Sequence, residues 1–294
     1  MKSKNDFLVE FFKRRKINFL RGFFGFVGVI FLFLLFFSFS ENKDDYIAEL
    51  SLNEIILNNN DLLNHLEEIE NDQKLKAILL IVNSPGGTVV GSQKLYQKLK
   101  NIGKKIPIAV SMQEIAASGG YMVSLAGEKI FCHMGTITGS IGVILQTASI
   151  KQFLEKIGVE PIVIKSGNMK AVPNPLEKVD ENNKKEIYKI VDDMYNQFLD
   201  LVIKSRNLNS ASIEAISTGA IFTGSQAKKI NLVDEIGDKS DALDWLKQKA
   251  NLPKEIQIEK INKKKDIYDF LNFFNPEPLS KFNGFLALWT PSYE

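Results

Sequence analysis

Ala77-Ile78-Leu79-Leu80-Ile81-Val82-Asn83-Ser84-Pro85-Gly86-Gly87 joins six consecutive apolar residues to a turn made of Asn, Ser, Pro and two glycines. A strand with one wet face alternates apolar and polar residues, so an unbroken apolar run of this length reads as a strand covered on both faces. A helical pattern follows to about Asn101. Ile106 to Ser111 then repeats the apolar theme ahead of a second Gly-Gly turn, Ala116-Ala117-Ser118-Gly119-Gly120. Strands alternating with helices predict βαβ units, and so an α/β sheet with helices packed over it.

The same alternation extends in both directions. Ile47 to Leu50 and Ile55 to Leu57 read as short strands, and Asp61 to Glu70 as a helix capped by Asn60 or Asp61. Beyond the second turn, the pattern predicts a helix over Ser118 to Leu125, a strand over Lys129 to Cys132, a helix over Ile150 to Ile157 and a strand over Pro161 to Lys165. A long amphipathic helix follows Glu181, with Ile187, Ile190, Val191, Met194, Phe198, Leu201 and Val202 at spacings near 3.6. That face needs a partner, and the sheet is the nearest.

With 45% hydrophobic and 24% charged residues over 294 positions, the chain can bury a sizeable core, which excludes a disordered or collagen-like class. The formal charge of +2 is uneven. Residues 1–21 carry Lys2, Lys4, Lys13, Arg14, Arg15, Lys16 and Arg21 against Asp6 and Glu10, so the rest of the chain is slightly acidic. An acidic body argues against a nucleic-acid surface. Gly22 to Ser40 is uncharged and, as a helix, nearly matches a hydrocarbon core of about 30 Å, which predicts an uncleaved transmembrane anchor. The basic flank puts the N-terminus in the cytoplasm and the remainder outside the cytoplasmic (inner) membrane, periplasmic or extracellular. The resulting plan is a cytoplasmic tail 1–21, an anchor 22–40, a linker 41–45, a folded domain 46–250 and a tail 251–294.

That last segment is rich in aromatics, including Phe270, Phe273, Phe274, Phe282, Phe285, Trp289 and Tyr293. Aromatics at this density predict docking on the parent domain, on a neighbouring subunit or on a bilayer interface. A single cysteine, Cys132, excludes an intramolecular disulfide and reads as a small buried apolar residue. His65 and His133 lack metal-ligand spacing, so neither a metal nor another cofactor is expected.

The two Gly-Gly turns lie at the carboxyl ends of strands, where open α/β sheets gather their functional residues. Together they offer a hydroxyl, Ser118, at a helix N-terminus, and backbone N–H groups that can approach an oxyanion closely because glycine lacks a Cβ. Ser118 could equally serve as an ordinary N-cap. A serine nucleophile needs a base, and with two histidines in the chain a Ser-His-Asp triad has few candidates. A lysine can serve instead where desolvation keeps its amine neutral.

Asn83 to Gly87, Ala116 to Tyr121, Thr136-Ile137-Thr138-Gly139-Ser140-Ile141-Gly142-Val143 and Lys165-Ser166-Gly167-Asn168-Met169-Lys170 resemble, in order, four motifs of the signal peptide peptidase A family. Phe222 to Ala227 and Leu232 to Gly237 are similar to its C-terminal motif. The resemblance spans roughly residues 46 to 250. It implies Ser118 as nucleophile, Lys170 as general base, Ser140 as the base's hydrogen-bond partner, the N–H groups of Gly87 and Gly119 as oxyanion donors, and Gly86 as the shaper of that turn. It further implies a ClpP/crotonase-like fold of repeated ββα units, a homo-oligomeric ring, and endopeptidase activity on apolar peptides such as remnant signal peptides. Glu54 stands where the family usually has glycine, Met134 where proline is usual, and Ala171 where an acidic residue is frequent. The competing expectations are a Ser/Lys protease that cuts one membrane-protein partner, and a catalytically silent membrane-tethered scaffold.

Overall fold

The computed structural model describes residues 22–31, 33, 44–57, 60–261 and 286–288. Met1–Asp44 and Asp45–Glu294 form two separate units. In the first, residues 22–31 are helical (α1) and almost wholly exposed. Among the described residues, no helix is long and apolar enough to cross a membrane. Residues 32 and 34–40 of the expected anchor, and the basic tail before it, lie outside the described residues.

In the second unit the apolar run of residues 77–82 becomes the centre of β2 (Leu75–Ser84), and the sheet around it explains why no polar residue interrupts it. Ile78, Leu80 and Val82 point into one core cluster, Ala77, Leu79 and Ile81 into another. The period-two geometry of a strand therefore needs apolar residues at every position. On the first face lie α2 (Asn60–Glu70), α3 (Val89–Ile102), α4 (Gly119–Ser124), the C-terminal half of α6 (Glu181–Ser205), α7 (Ser210–Ile216) and α8 (Gly224–Lys229). On the second face lies α9 (Lys239–Lys249), through Ala242 and Leu246.

The sheet runs β7-β6-β4-β2-β1-β9, that is Ile221–Thr223, Ile137–Gly139, Ile108–Ala117, Leu75–Ser84, Tyr46–Asn53 and Gln257–Ile261. The pairings are parallel except β6 with β7. β4 is long enough for two partners: its first half pairs β5 (Lys129–Cys132), which carries β8 (Glu235–Ile236), and its last residues pair β6. This is a mixed α/β sheet, and β9 extends it past residue 250. A separate antiparallel pair joins β3 (Gly86–Thr88) to β10 (Leu286–Leu288).

Two expectations fail. Ile55–Leu57 contributes only an isolated bridge, Ile56 to Gly87, and Pro161–Lys165 forms no strand. In the second, Ile162 and Ile164 stand 80% and 94% exposed, so the apolar run is not covered by the sheet of its own chain. α5 (Lys151–Lys156) is correspondingly short, with no buried residue. In the long helix Phe198 and Val202 are buried, Leu199 and Leu201 pack partly buried against the same core and Val191 and Met194 against Val89 and Val143, while Tyr188 and Ile190 face solvent. From residue 144 to 197 no side chain is buried.

Candidate active site

β4 and β6 end side by side, with Ala117 opposite Gly139, so the next residue on each chain, Ser118 and Ser140, emerges at the same end of the sheet. Both take a left-handed backbone, φ 53° and 49°. For a residue with a Cβ this costs roughly 1–2 kcal/mol and persists only where the surroundings impose it. Here they do. The Ser118 N–H donates to Gly139 O at 2.8 Å, and the Met122 N–H to Ser118 O at 2.9 Å, so the residue is held by the strand behind it and the helix ahead. The Ser140 N–H donates to Ala220 O at 2.8 Å. Phe222 and the Ala220 carbonyl close over Gly139, where a Cβ would come within 3 Å of each.

Ser118 occupies the N-cap position of α4, yet its hydroxyl makes no capping hydrogen bond. The ordinary N-cap role considered for it is therefore not the one it fills. The residue is 1% exposed, and among the described residues its hydroxyl has no hydrogen-bond partner. The adjoining glycines are required by close approach. A Cβ on Gly119 would fall 2.3 Å from Ser92 Oγ and 3.2 Å from the Gly87 nitrogen; one on Gly120 would fall 2.6 Å from Ser84 O. The Gly87 amide is thus a direct neighbour of the helix start that carries Ser118.

Gly86 and Gly87 are set by a cross-strap. Ile56 N–H donates to Gly86 O and Thr88 N–H to Ile56 O, both at 2.8 Å, while Ser84 Oγ accepts from Gly86 N–H and donates to Glu54 O. Gly86 has φ 109°, open to glycine alone among common residues. A Cβ on Gly87 would overlap the Ile56 backbone. The Asn83 side chain accepts from Ile115 N–H, tying the turn to β4.

Ser118, Ser140, Gly86, Gly87 and Gly119 are therefore brought together. Lys170 is not joined to them: it is exposed, and among the described residues its amine makes no hydrogen bond or ion pair. It rides on a loop closed at its base by Lys165, whose amine lies 2.6 Å from Glu177, with Asn174 bonding the same carboxylate. Those contacts, led by the Lys165 hydrogen bond, hold the Glu177 carboxyl below the usual carboxylate range. The His133 side chain is exposed and bonds to none of the site residues.

The C-terminal motif supports the site from behind. The Asp234 carboxylate accepts two guanidinium hydrogen bonds from Arg206, at 2.8 and 3.0 Å, and one from Ile130 N–H, while Leu232 O accepts the buried Tyr121 hydroxyl of α4. Thr223 and Gln226 form a capping box at α8, and Gly224 leaves no room for a Cβ against His133 O and Cys132 Sγ. Burial pushes the Cys132 thiol up to about 11, consistent with an inert packing residue. Sequence reasoning missed Ser92, whose close contact shapes the Gly119 approach, and the pairing of β10 on β3; their only signals were a small residue on a helix face and a tail rich in aromatics.

A strained serine with an unbonded hydroxyl beside glycine amides defines a site of the serine peptidase class. The profile of peptidase family S49 matches residues 100–253. A Synechocystis sp. chain assigned as protease slr0021 is 38% identical over 207 residues, covering 70% of this chain and 74% of that one. An Enterococcus faecium chain assigned as signal peptide peptidase SppA is 38% identical over 203 residues, covering 69% of this chain and 59% of that one. Among solved structures, a mutant of the 1510-N membrane-bound stomatin-specific protease aligns over 75% of this chain and 99% of its own, with TM-score 0.47 and 16% identity. The chain belongs to peptidase family S49, and the motif resemblance to signal peptide peptidase A holds.

Proposed function

We propose that this serine peptidase is a membrane-anchored endopeptidase that uses Ser118 as nucleophile and Lys170 as general base. The observation that carries the reading is the Ser118 geometry: φ 53°, no capping bond, and the Gly87 nitrogen next to Gly119. In the reaction a neutral Lys170 amine takes the Ser118 proton as Oγ attacks a peptide carbonyl. The N–H groups of Gly87 and Gly119 stabilise the oxyanion, each worth about 3 kcal/mol. Lys170 passes its proton to the leaving amine, and water, deprotonated by the same lysine, releases the acyl-enzyme. Ser140, beside Ser118 at the sheet end, orients the amine.

Lys170 must reach Ser118 for this to work, and the unburied run from residue 144 to 197 supplies a reason to expect assembly. Ile144, Phe153, Ile157, Ile162 and Ile164 form more exposed apolar surface than a monomer tolerates well. We infer a homo-oligomeric ring of the ClpP/crotonase type in which this strip packs on a neighbour and a Lys170 is held at each Ser118. The substrate class is extended apolar peptide near the outer face of the cytoplasmic membrane, such as a remnant signal peptide. The N-terminal basic flank and apolar segment favour an N-in anchor with the catalytic unit outside.

The test is Lys170→Met. Peptide cleavage should disappear while the fold and oligomer persist, as read by circular dichroism and sedimentation. Retained cleavage would overturn the dyad.

A further inference from the structure

Ser92 lies on the first turn of α3, 0% exposed, and its hydroxyl donates at 3.0 Å to the carbonyl of Thr88, the N-cap of that helix. The helix gains little from this bond. An N-cap carbonyl already accepts the first intrahelical hydrogen bond, and a serine that bonds back four residues is a poorer helix former than alanine. A buried hydroxyl here therefore calls for a reason outside α3. The reason lies on its other side. A Cβ on Gly119 would fall 2.3 Å from Ser92 Oγ, 3.2 Å from Ser92 Cβ and 3.2 Å from the Gly87 nitrogen, so the Cα–H in its place is aimed into the space those atoms bound.

Thr88 follows Gly87 directly, so the Ser92 hydroxyl is bonded to the chain of one oxyanion donor and packed against the other. Two amides stabilise one oxyanion when each lies about 2.7–3.1 Å from it, and such a site tolerates errors of roughly 0.5 Å. Resting on the peptidase reading above, we propose that Ser92 is a positioning residue of the oxyanion hole, the spacer that fixes the Gly119 amide against the Gly87 amide. It acts through those two glycines. Both amides meet a single oxygen in the tetrahedral intermediate and not in the bound peptide, so the residue governs kcat and leaves KM alone.

The spacer is tested in the full chain. Ser92→Ala removes the oxygen and its tie to Thr88 while keeping a good helix former on α3. It should lower kcat for a fluorogenic apolar peptide about tenfold with KM within about twofold, and weaken a peptide boronate, which forms a tetrahedral adduct on serine, by the same factor. A residue that only packs would move the thermal midpoint and not this split. The contact itself is read by a double-mutant cycle. Gly119→Ala should lower the thermal midpoint because its methyl meets Ser92 Oγ, and adding Ser92→Gly should restore part of the loss. Additive midpoints, or a Ser92→Ala enzyme whose kcat and boronate affinity equal those of an active parent, overturn the spacer and leave the peptidase reading standing. A parent that neither cleaves peptide nor binds the boronate overturns both.

Discussion

Ser118 and Glu54 have the same backbone problem and different reasons for it. Both carry a Cβ at positive φ, 53° and 68°, a cost of roughly 1–2 kcal/mol each. At Ser118 the strain accompanies a hydroxyl that makes no capping hydrogen bond, as a nucleophile requires. At Glu54 the side chain is exposed, and its backbone carries the structural role, accepting from Ser84 Oγ and donating to Asn83 O. Replacing each by glycine should separate the two. Ser118→Gly should raise stability by about 1 kcal/mol and abolish cleavage, whereas Glu54→Gly should raise stability by a similar amount and leave cleavage intact. Denaturant midpoints and peptide turnover on both variants read this directly; a Ser118→Gly protein less stable than its parent would mean the strain is absent. The identities of these residues were legible in the sequence, but their φ values were not, because a left-handed serine follows from where a strand is made to stop and a helix to start.

At the scale of elements, the loop that carries Lys170 is held by one ion pair with a helper amide rather than by burial. The Glu177 carboxyl is held low by Lys165 first and Asn174 after it, so its folded pKa lies below the unfolded value. A depressed carboxylate contributes its stabilisation above the unfolded pKa and loses it as pH falls through the folded one. The loop should therefore be fully ordered at neutral pH and open only below the ordinary glutamate range near 4.3. Glu177→Gln should mimic the acid form at pH 7, giving faster amide exchange across residues 165–177 and a fall in kcat with little change in KM; exchange equal to the parent's would show that the pair does not hold the loop. The sequence reading of a strand over Pro161–Lys165 failed here for a related reason. Alternating apolar residues report that a segment will be covered, not which chain covers it. The buried strands were legible because β2 is enclosed by its own chain on both faces.

For the catalytic unit as a whole, the sheet and its helices account for burial up to Val143 and again from Phe198, and nothing between them is buried. The exposed apolar side chains in the first part of that stretch, Ile144, Phe153, Ile157, Ile162 and Ile164, predict association. Sedimentation should show an oligomer in the full chain, and Ile162→Asp with Ile164→Asp should shift it toward monomer with loss of activity but with a thermal midpoint close to the parent's; a monomeric parent with full activity would contradict the assembly. The α/β class was readable from strand–helix alternation, and the motif order led to the site, whereas the strap through Ile56 and the β3–β10 pair required coordinates, because both join residues distant in sequence through backbone groups that any residue possesses. The central claim, that Ser118 is a nucleophile activated by Lys170, is tested most directly by labelling with a serine-reactive phosphonate followed by intact-mass and peptide mapping. The account predicts one adduct per chain, on Ser118, formed at least about a hundredfold more slowly in Lys170→Met. Labelling at another residue, or at Ser118 with a rate indifferent to Lys170, would contradict it.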